Sequence, residues 1–161
     1  MARRKAKAAP LSHEGYLFEI ERNLSSYSLS TAVPRYDTGI YSEYWHLEFQ
    51  SRCLAPAKLA GRQTRLLFIA RRDFFERPAS AEPAWRPLGI SHLTMRGAQS
   101  EMSCSIPFDA GWGLASAVNG GFFKYLETYG AVLKRGTAQM SYMAFRAEYD
   151  PRDFFEDAEG D

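Results

Sequence analysis

IYSEYWHLEFQSRCL (residues 40–54), APAKLAGRQ (55–63) and TRLLFIARRDFF (64–75) follow one another without a break, and how they are read decides the fold. Successive side chains of a strand point to opposite faces. In the first segment Trp45, Leu47 and Phe49 therefore share one face, and His46, Glu48, Gln50 and Arg52 share the other. One apolar face and one polar face make the pattern of a half-buried antiparallel strand. The third segment differs: Leu66, Phe68 and Ala70 alternate with Leu67 and Ile69, so neither face is polar. That pattern predicts a strand covered on both sides. Between the two, Pro56 and Gly61 stand where a short helical turn takes them, proline near its start and glycine just past its end. The stretch reads as a long antiparallel hairpin with a structured loop.

The alternation recurs on both sides. Upstream, Tyr16, Phe18 and Ile20 alternate with Leu17, Glu19 and Glu21, and Tyr27, Leu29, Thr31 and Val33 repeat the pattern after Asn23 to Ser26. These predict a hairpin whose second strand ends at Pro34, which has no N–H for the ladder. Asp37-Thr38-Gly39 then turns the chain into the central stretch. Downstream, Pro78, Pro83 and Pro87 predict an exposed loop carrying Trp85. Leu88 to Met95 and Gln99 to Phe108 predict another hairpin, turning at Arg96-Gly97-Ala98. Asp109 is placed to cap a short helix through Ala115 to Val118, which Asn119-Gly120-Gly121 stops. Laid over the Leu66–Ala70 strand, that helix would cover one of its two apolar faces. FFKYLETYG and AQMSYMAFRAEY predict two further strands around a turn at Lys134 to Thr137. Phe122, Leu126 and Tyr129 also fit a helical period, but the aromatics and close glycines favour strand. Arg72-Asp73-Phe74-Phe75-Glu76 recurs as Arg152-Asp153-Phe154-Phe155-Glu156, yet the flanking residues do not align. The echo therefore implies no duplication; each phenylalanine pair is expected to pin a chain exit to the core.

The fold class that follows is mainly β: an antiparallel β-sandwich or flattened barrel of about seven to eight strands with one short helix. The alternative is an α+β open sheet with a helix on one face. Residues 1–12 read as a disordered basic tail, 13–149 as a single β-rich domain and 150–161 as an acidic tail that frays.

Composition supports one soluble domain. A chain of 161 residues with 45% hydrophobic and 24% charged residues can bury one core. Aromatics at 14% favour strands. A net charge of +1 argues against a whole-surface polyanion binder and leaves room for a local patch. No apolar run approaches the roughly 20 residues of a membrane helix. MARRKAKAAPLSHEG has no apolar core of the signal-peptide kind. Cys53 and Cys104 make neither a disulfide framework nor a zinc site, so buried thiols in the reducing cytoplasm are expected.

Chemical motifs are sparse. His46 and Glu48 are two apart on one strand face and could reach one ligand, but two ligands close no metal site. Whether His92 joins them depends on strand order. Cys53 follows Arg52, which could lower a thiol pKa, but its parity places it with Trp45 and Phe49 in the core. Cys104 shares a face with Met102 and Ile106. No serine sits in a nucleophile elbow and no loop is built to cradle phosphate. No cofactor or metal is expected. The leading expectation is a non-catalytic protein-interaction or scaffold module, with His46, Glu48, Gln50, Arg52 and Trp85 as contacts. A second is a small-molecule-binding or enzymatic barrel with an aromatic-lined pocket. A third is a nucleic-acid-associated protein using Arg3, Arg4, Lys5 and Lys7 as an electrostatic arm, with Arg71, Arg72 and nearby aromatics.

Strand parity in the central stretch is open to direct test. Trp45→Ala should cost about 3–5 kcal/mol as a buried aromatic truncation. Urea denaturation reads the loss, and a change within error would invert the assigned faces.

Overall fold

In a computed structural model, residues 13–31, 41–72, 74–75 and 89–154 are described. Among them lie eight strands: β1 (His13–Asn23), β2 (Ser26–Thr31), β3 (Tyr41–Ala55), β4 (Gln63–Arg71), β5 (Ser91–Arg96), β6 (Gln99–Pro107), β7 (Tyr125–Ala131) and β8 (Thr137–Arg146). One α-helix, α1 (Phe108–Asn119), stands between β6 and β7. No helix among the described residues is long and apolar enough to cross a membrane.

The strands form a single sheet in the order β1-β7-β8-β5-β6-β4-β3-β2, and β1 also pairs with β3. That extra pairing closes seven strands into a barrel and leaves β2 outside the ring. Neighbours are antiparallel except β4 and β6, which run parallel. The flattened-barrel expectation therefore describes the chain, and the sheet is not open. β3 makes closure possible. Its C-terminal part pairs with β1, from Phe49↔Asn23 to Ala55↔Leu17, while its opposite edge holds β4. Its N-terminal part pairs with β2, from Tyr41↔Thr31 to His46↔Ser26. β1 and β2 thus lie end to end along one edge of β3 and do not form the expected hairpin. Asn23 manages the break: its Oδ1 accepts from the Ser25 N–H at 2.8 Å, and Leu24 N–H donates to the Glu48 carbonyl at 2.7 Å. An alternating pattern with a polar gap describes a broken strand as well as a hairpin, and only the partner strand distinguishes them.

Closing a sheet needs bends. Register shifts break the β1–β3 ladder at Leu17/Phe18 and Ile20/Arg22, and the β7–β8 ladder at Tyr129/Gly130. Such bulges bend a strand and increase its twist. At the last of these a Cβ on Gly130 would sit 2.3 Å from the Gln139 carbonyl oxygen, so the close backbone approach admits only glycine.

The inward faces fill the barrel with side chains, as in other small barrels. Tyr16, Phe18, Leu47, Phe49, Leu66, Phe68, Leu93, Met102, Leu126 and Met140 are fully buried in one cluster. Trp45, Leu47, Phe49 and Cys53 point inward as the alternation of β3 predicts. Pro56 and Gly61 flank a 3-10 turn at Ala57–Leu59, with Gly61 at φ 82°, as expected. Residues 125–131 are strand, in keeping with the preference over helix.

Two further expectations fail. Leu66 and Phe68 of β4 face the core, but Leu67 is half-buried and Ile69 is 37% exposed, so β4 is covered on one side only. Helix α1 does lie against β4, as expected, though not against β4 alone. It contacts β1, β3, β4 and β6 together, across one end of the barrel. Asp109 does not cap it: Pro107 occupies the cap with no side-chain bond, and Asp109 lies in the first turn, where a negative charge suits the helix dipole. Strands buried on consecutive residues are β1, at Tyr16, Leu17 and Phe18, and β7, at Leu126, Glu127 and Thr128. Outside β7 the chain end adds aromatic cover. Tyr149 meets Tyr125 at 4.8 Å between ring centroids, and Phe154, after a 3-10 turn at Pro151–Asp153, stacks on Tyr129 at 5.8 Å. Phe154 thus fastens its chain exit, onto the outer surface, while Phe75 in the other copy of the echo is 84% exposed.

The seat of α1 yields a paired prediction. A Cβ on Gly111 would stand 2.6 Å from Trp45 Cζ3, whereas one on Gly113 would meet nothing within 4 Å. Gly111→Ala should cost about 1–3 kcal/mol by lifting the helix off Trp45. Gly113→Ala should stabilise by about 0.5–1 kcal/mol through helix propensity. Equal effects in urea melts would remove Trp45 as the helix seat.

Candidate functional site

His46, Glu48, Gln50 and Arg52 occupy the outer face of β3, as their parity predicts. There they meet partners from neighbouring strands. Arg65, directly opposite Gln50, bonds Glu48 Oε2 at 2.6 Å and Glu101 Oε2 at 3.2 Å. Arg52 bonds Glu19 Oε2 at 2.5 Å and lies 3.5 Å from Glu21 Oε1. The bond to Glu48 raises the Arg65 pKa above its ordinary value, and the bond to Glu19 does the same for Arg52. Gln50 reaches Gln63 at 3.5 Å. The row is a ladder of cross-strand ion pairs over β1, β3, β4 and β6. Exposed pairs of this kind contribute little stability, but their charges are already matched.

His92 does not join His46. It lies on β5, and β6 and β4 separate β5 from β3. Its neighbours are Ser103 on one side and Gln139 on the other. The Gln139 amide nitrogen stands 3.1 Å from His92 Nδ1 and orients the ring. His92, Gln139, Ser103, Ser105, Ile69 and Ile90 line an open depression of about 260 Å³. Its described lining offers Ser, Gln and His side chains and includes no Asp, Glu, Lys or Arg. Ser91 lines the same depression, and its buried Oγ has no hydrogen-bond partner among the described residues. No group of three metal-binding side chains occurs among the described residues.

The cysteines are buried, in line with their parity. Cys53 Sγ donates to the Ala55 carbonyl at 3.2 Å, and Cys104 Sγ to the Ile90 carbonyl at 3.0 Å. Burial pushes the Cys53 thiol up to about 12 and the Cys104 thiol up to about 11. Burial, reinforced by a 2.8 Å bond to Glu14, also raises the Tyr16 phenol.

The helix-capped end of the barrel is different in kind. Trp45, only 4% exposed, supports Trp112 at 4.1 Å between ring centroids and Phe108 at 5.7 Å. The Arg72 guanidinium lies 4.1 Å over the other side of this group, on the Phe108 ring. Trp112 remains 57% exposed. Beyond the helix C-terminus Phe122 is 71% exposed. At the β4 end, whose Arg71 pairs with Pro107 at the helix start, Phe74 and Phe75 pack edge to face at 5.0 Å. Trp112 was missed by reasoning on strand alternation. Its signal lay in Gly111-Trp112-Gly113, a large aromatic between two glycines in a helical segment. Trp85 and the arm of Arg3, Arg4, Lys5 and Lys7 lie outside the described residues.

Comparison with protein-family models, curated proteins and solved structures finds no significant match.

The thiol environments predict a pH signature. A raised folded pKa means that the contribution to stability is whole below the ordinary thiol range and is lost as pH climbs toward about 12 for Cys53. Native protein at pH 8 should react with a disulfide reagent only as fast as it unfolds, and both thiols should react at once in denaturant. Rapid labelling of the folded chain would place a thiol at the surface.

Proposed function

We propose that this protein is a non-catalytic interaction module that binds a protein partner through the helix-capped end of its barrel. One observation carries the reading: a solvent-exposed tryptophan, Trp112, packs against a buried one, Trp45. Binding hot spots favour large aromatics that lose little conformational freedom on association, and tryptophan is the most enriched of them. Exposed Phe122, beyond the helix C-terminus, adds apolar surface, and Arg72 adds a guanidinium over Phe108 at the helix start. The filled interior and the self-matched charges of the His46–Arg52 row favour this end over either as the contact surface. Trp85 and the basic arm remain candidates for additional contacts. The setting proposed is the cytoplasm, where Cys53 and Cys104 stay reduced. A second reading, recognition of a small neutral ligand, rests on the depression at His92.

Capture of a partner from the source cells, its identification and titration with purified components test the proposal. Trp112→Ala should weaken binding by about 30-fold or more, the range of a hot spot. Its stability should fall by only about 0.5–1.5 kcal/mol, the worth of an aromatic pair. Arg65→Ala, on the polar row, should leave affinity unchanged. Full affinity in Trp112→Ala would move the contact surface elsewhere.

A further inference from the structure

The barrel leaves one strand outside its ring. β2 pairs with β3 along one edge, and among the described residues no strand lies along the other. An uncovered edge presents a row of backbone donors and acceptors that templates another strand, and proteins guard such edges with charge, proline or bulges. β2 has none of these. It reads Ser-Tyr-Ser-Leu-Ser-Thr, and its ladder with β3 runs without a register shift from Ser26↔His46 to Thr31↔Tyr41. Leu29 is 61% and Tyr27 is 48% exposed, and being two apart they share a face.

We propose that β2 pairs antiparallel with β2 of a second copy of this chain. The strand is complementary to itself. With Ser28 on the two-fold axis, Tyr27 of each copy lies directly opposite Leu29 of the other. This aromatic–aliphatic cross-strand pair forms twice, as an isologous interface requires. An uncharged strand meets an uncharged strand, so no like charges are brought together; an acidic or basic strand would find no matching charge on β2. The two barrels then share one continuous sheet through β3-β2-β2-β3. The joint uses no residue of α1; Leu29 lies two residues farther along β2 than Tyr27, the cross-strand neighbour of Trp45, so Leu29→Lys tests the joint away from the Trp45–Trp112 contact. A six-residue ladder is a small interface, which makes the dimer weak and concentration-dependent.

Sedimentation velocity on the full chain over a dilution series tests this. The expected result is a shift from monomer to dimer as concentration rises. Leu29→Lys and Tyr27→Glu should each move the midpoint at least about 10-fold upward, through a charge placed in the strand pair. Their circular dichroism should match the parent chain. An equimolar mixture of the two variants should associate again. In that mixed pair Tyr27 of the first variant still meets Leu29 of the second, and across the axis the introduced ammonium meets the introduced carboxylate. Trp112→Ala should dimerise like the parent, which separates failure here from failure of the partner surface. A chain monomeric at every concentration, a dimer indifferent to Leu29→Lys, or a mixture that stays monomeric would each overturn the proposal.

Discussion

Backbone pairing along both edges of β3 is the constraint on which this structure depends. The strand has fifteen residues, against a usual five or six, and spans about 50 Å at 3.3 Å per residue. No single neighbour matches that length. β4 takes the middle of one edge, and β1 and β2 divide the other between them. Because β1 also pairs with β7, the C-terminal part of β3 closes the barrel. Because β2 pairs only with β3 among the described residues, it and the N-terminal part of β3 form a two-stranded ribbon there. Trp45 stands where ribbon and barrel meet, paired with Tyr27 on one side and roofed by α1 on the other.

Much of this was legible from alternation. The faces of β3, the loop at Pro56 to Gly61, the turn at Gly97 and the strand character of residues 125–131 follow from local rules, since period, proline and positive-φ glycine act over a few residues. What local rules do not carry is which strand lies beside which. Leu67 and Ile69 suggest cover that β4 does not have, because apolar side chains on an outer face are common and a residue does not announce its neighbours. The cap expected at Asp109 lies two residues earlier, at Pro107, because the helix already begins at Phe108. The parallel pairing of β4 with β6 has no signature in either strand.

The candidate surfaces divide along the same line. A row such as His46, Glu48, Gln50 and Arg52 is visible in sequence because it belongs to one strand. Its occupation by Glu19, Glu21, Arg65 and Glu101 is not, because those partners arrive from β1, β4 and β6. Trp112 shows the reverse. Strand alternation gave no reason to select it, and its packing on Trp45, far away in sequence, is what sets it apart.

The pairing of β1 with β7 also sets an order of events. His13 meets Ala131 and Glu19 meets Tyr125, so the ring cannot shut until most of the chain has been made. Contacts this distant in sequence form slowly, because loop closure must precede their reward. As the ribosome extends the chain, Tyr16, Leu17 and Phe18 have no β7 to pair with until residues 125–131 are made. For that interval the nascent protein presents an apolar strand edge, and a chaperone that shields extended apolar segments would find its substrate near the N-terminus.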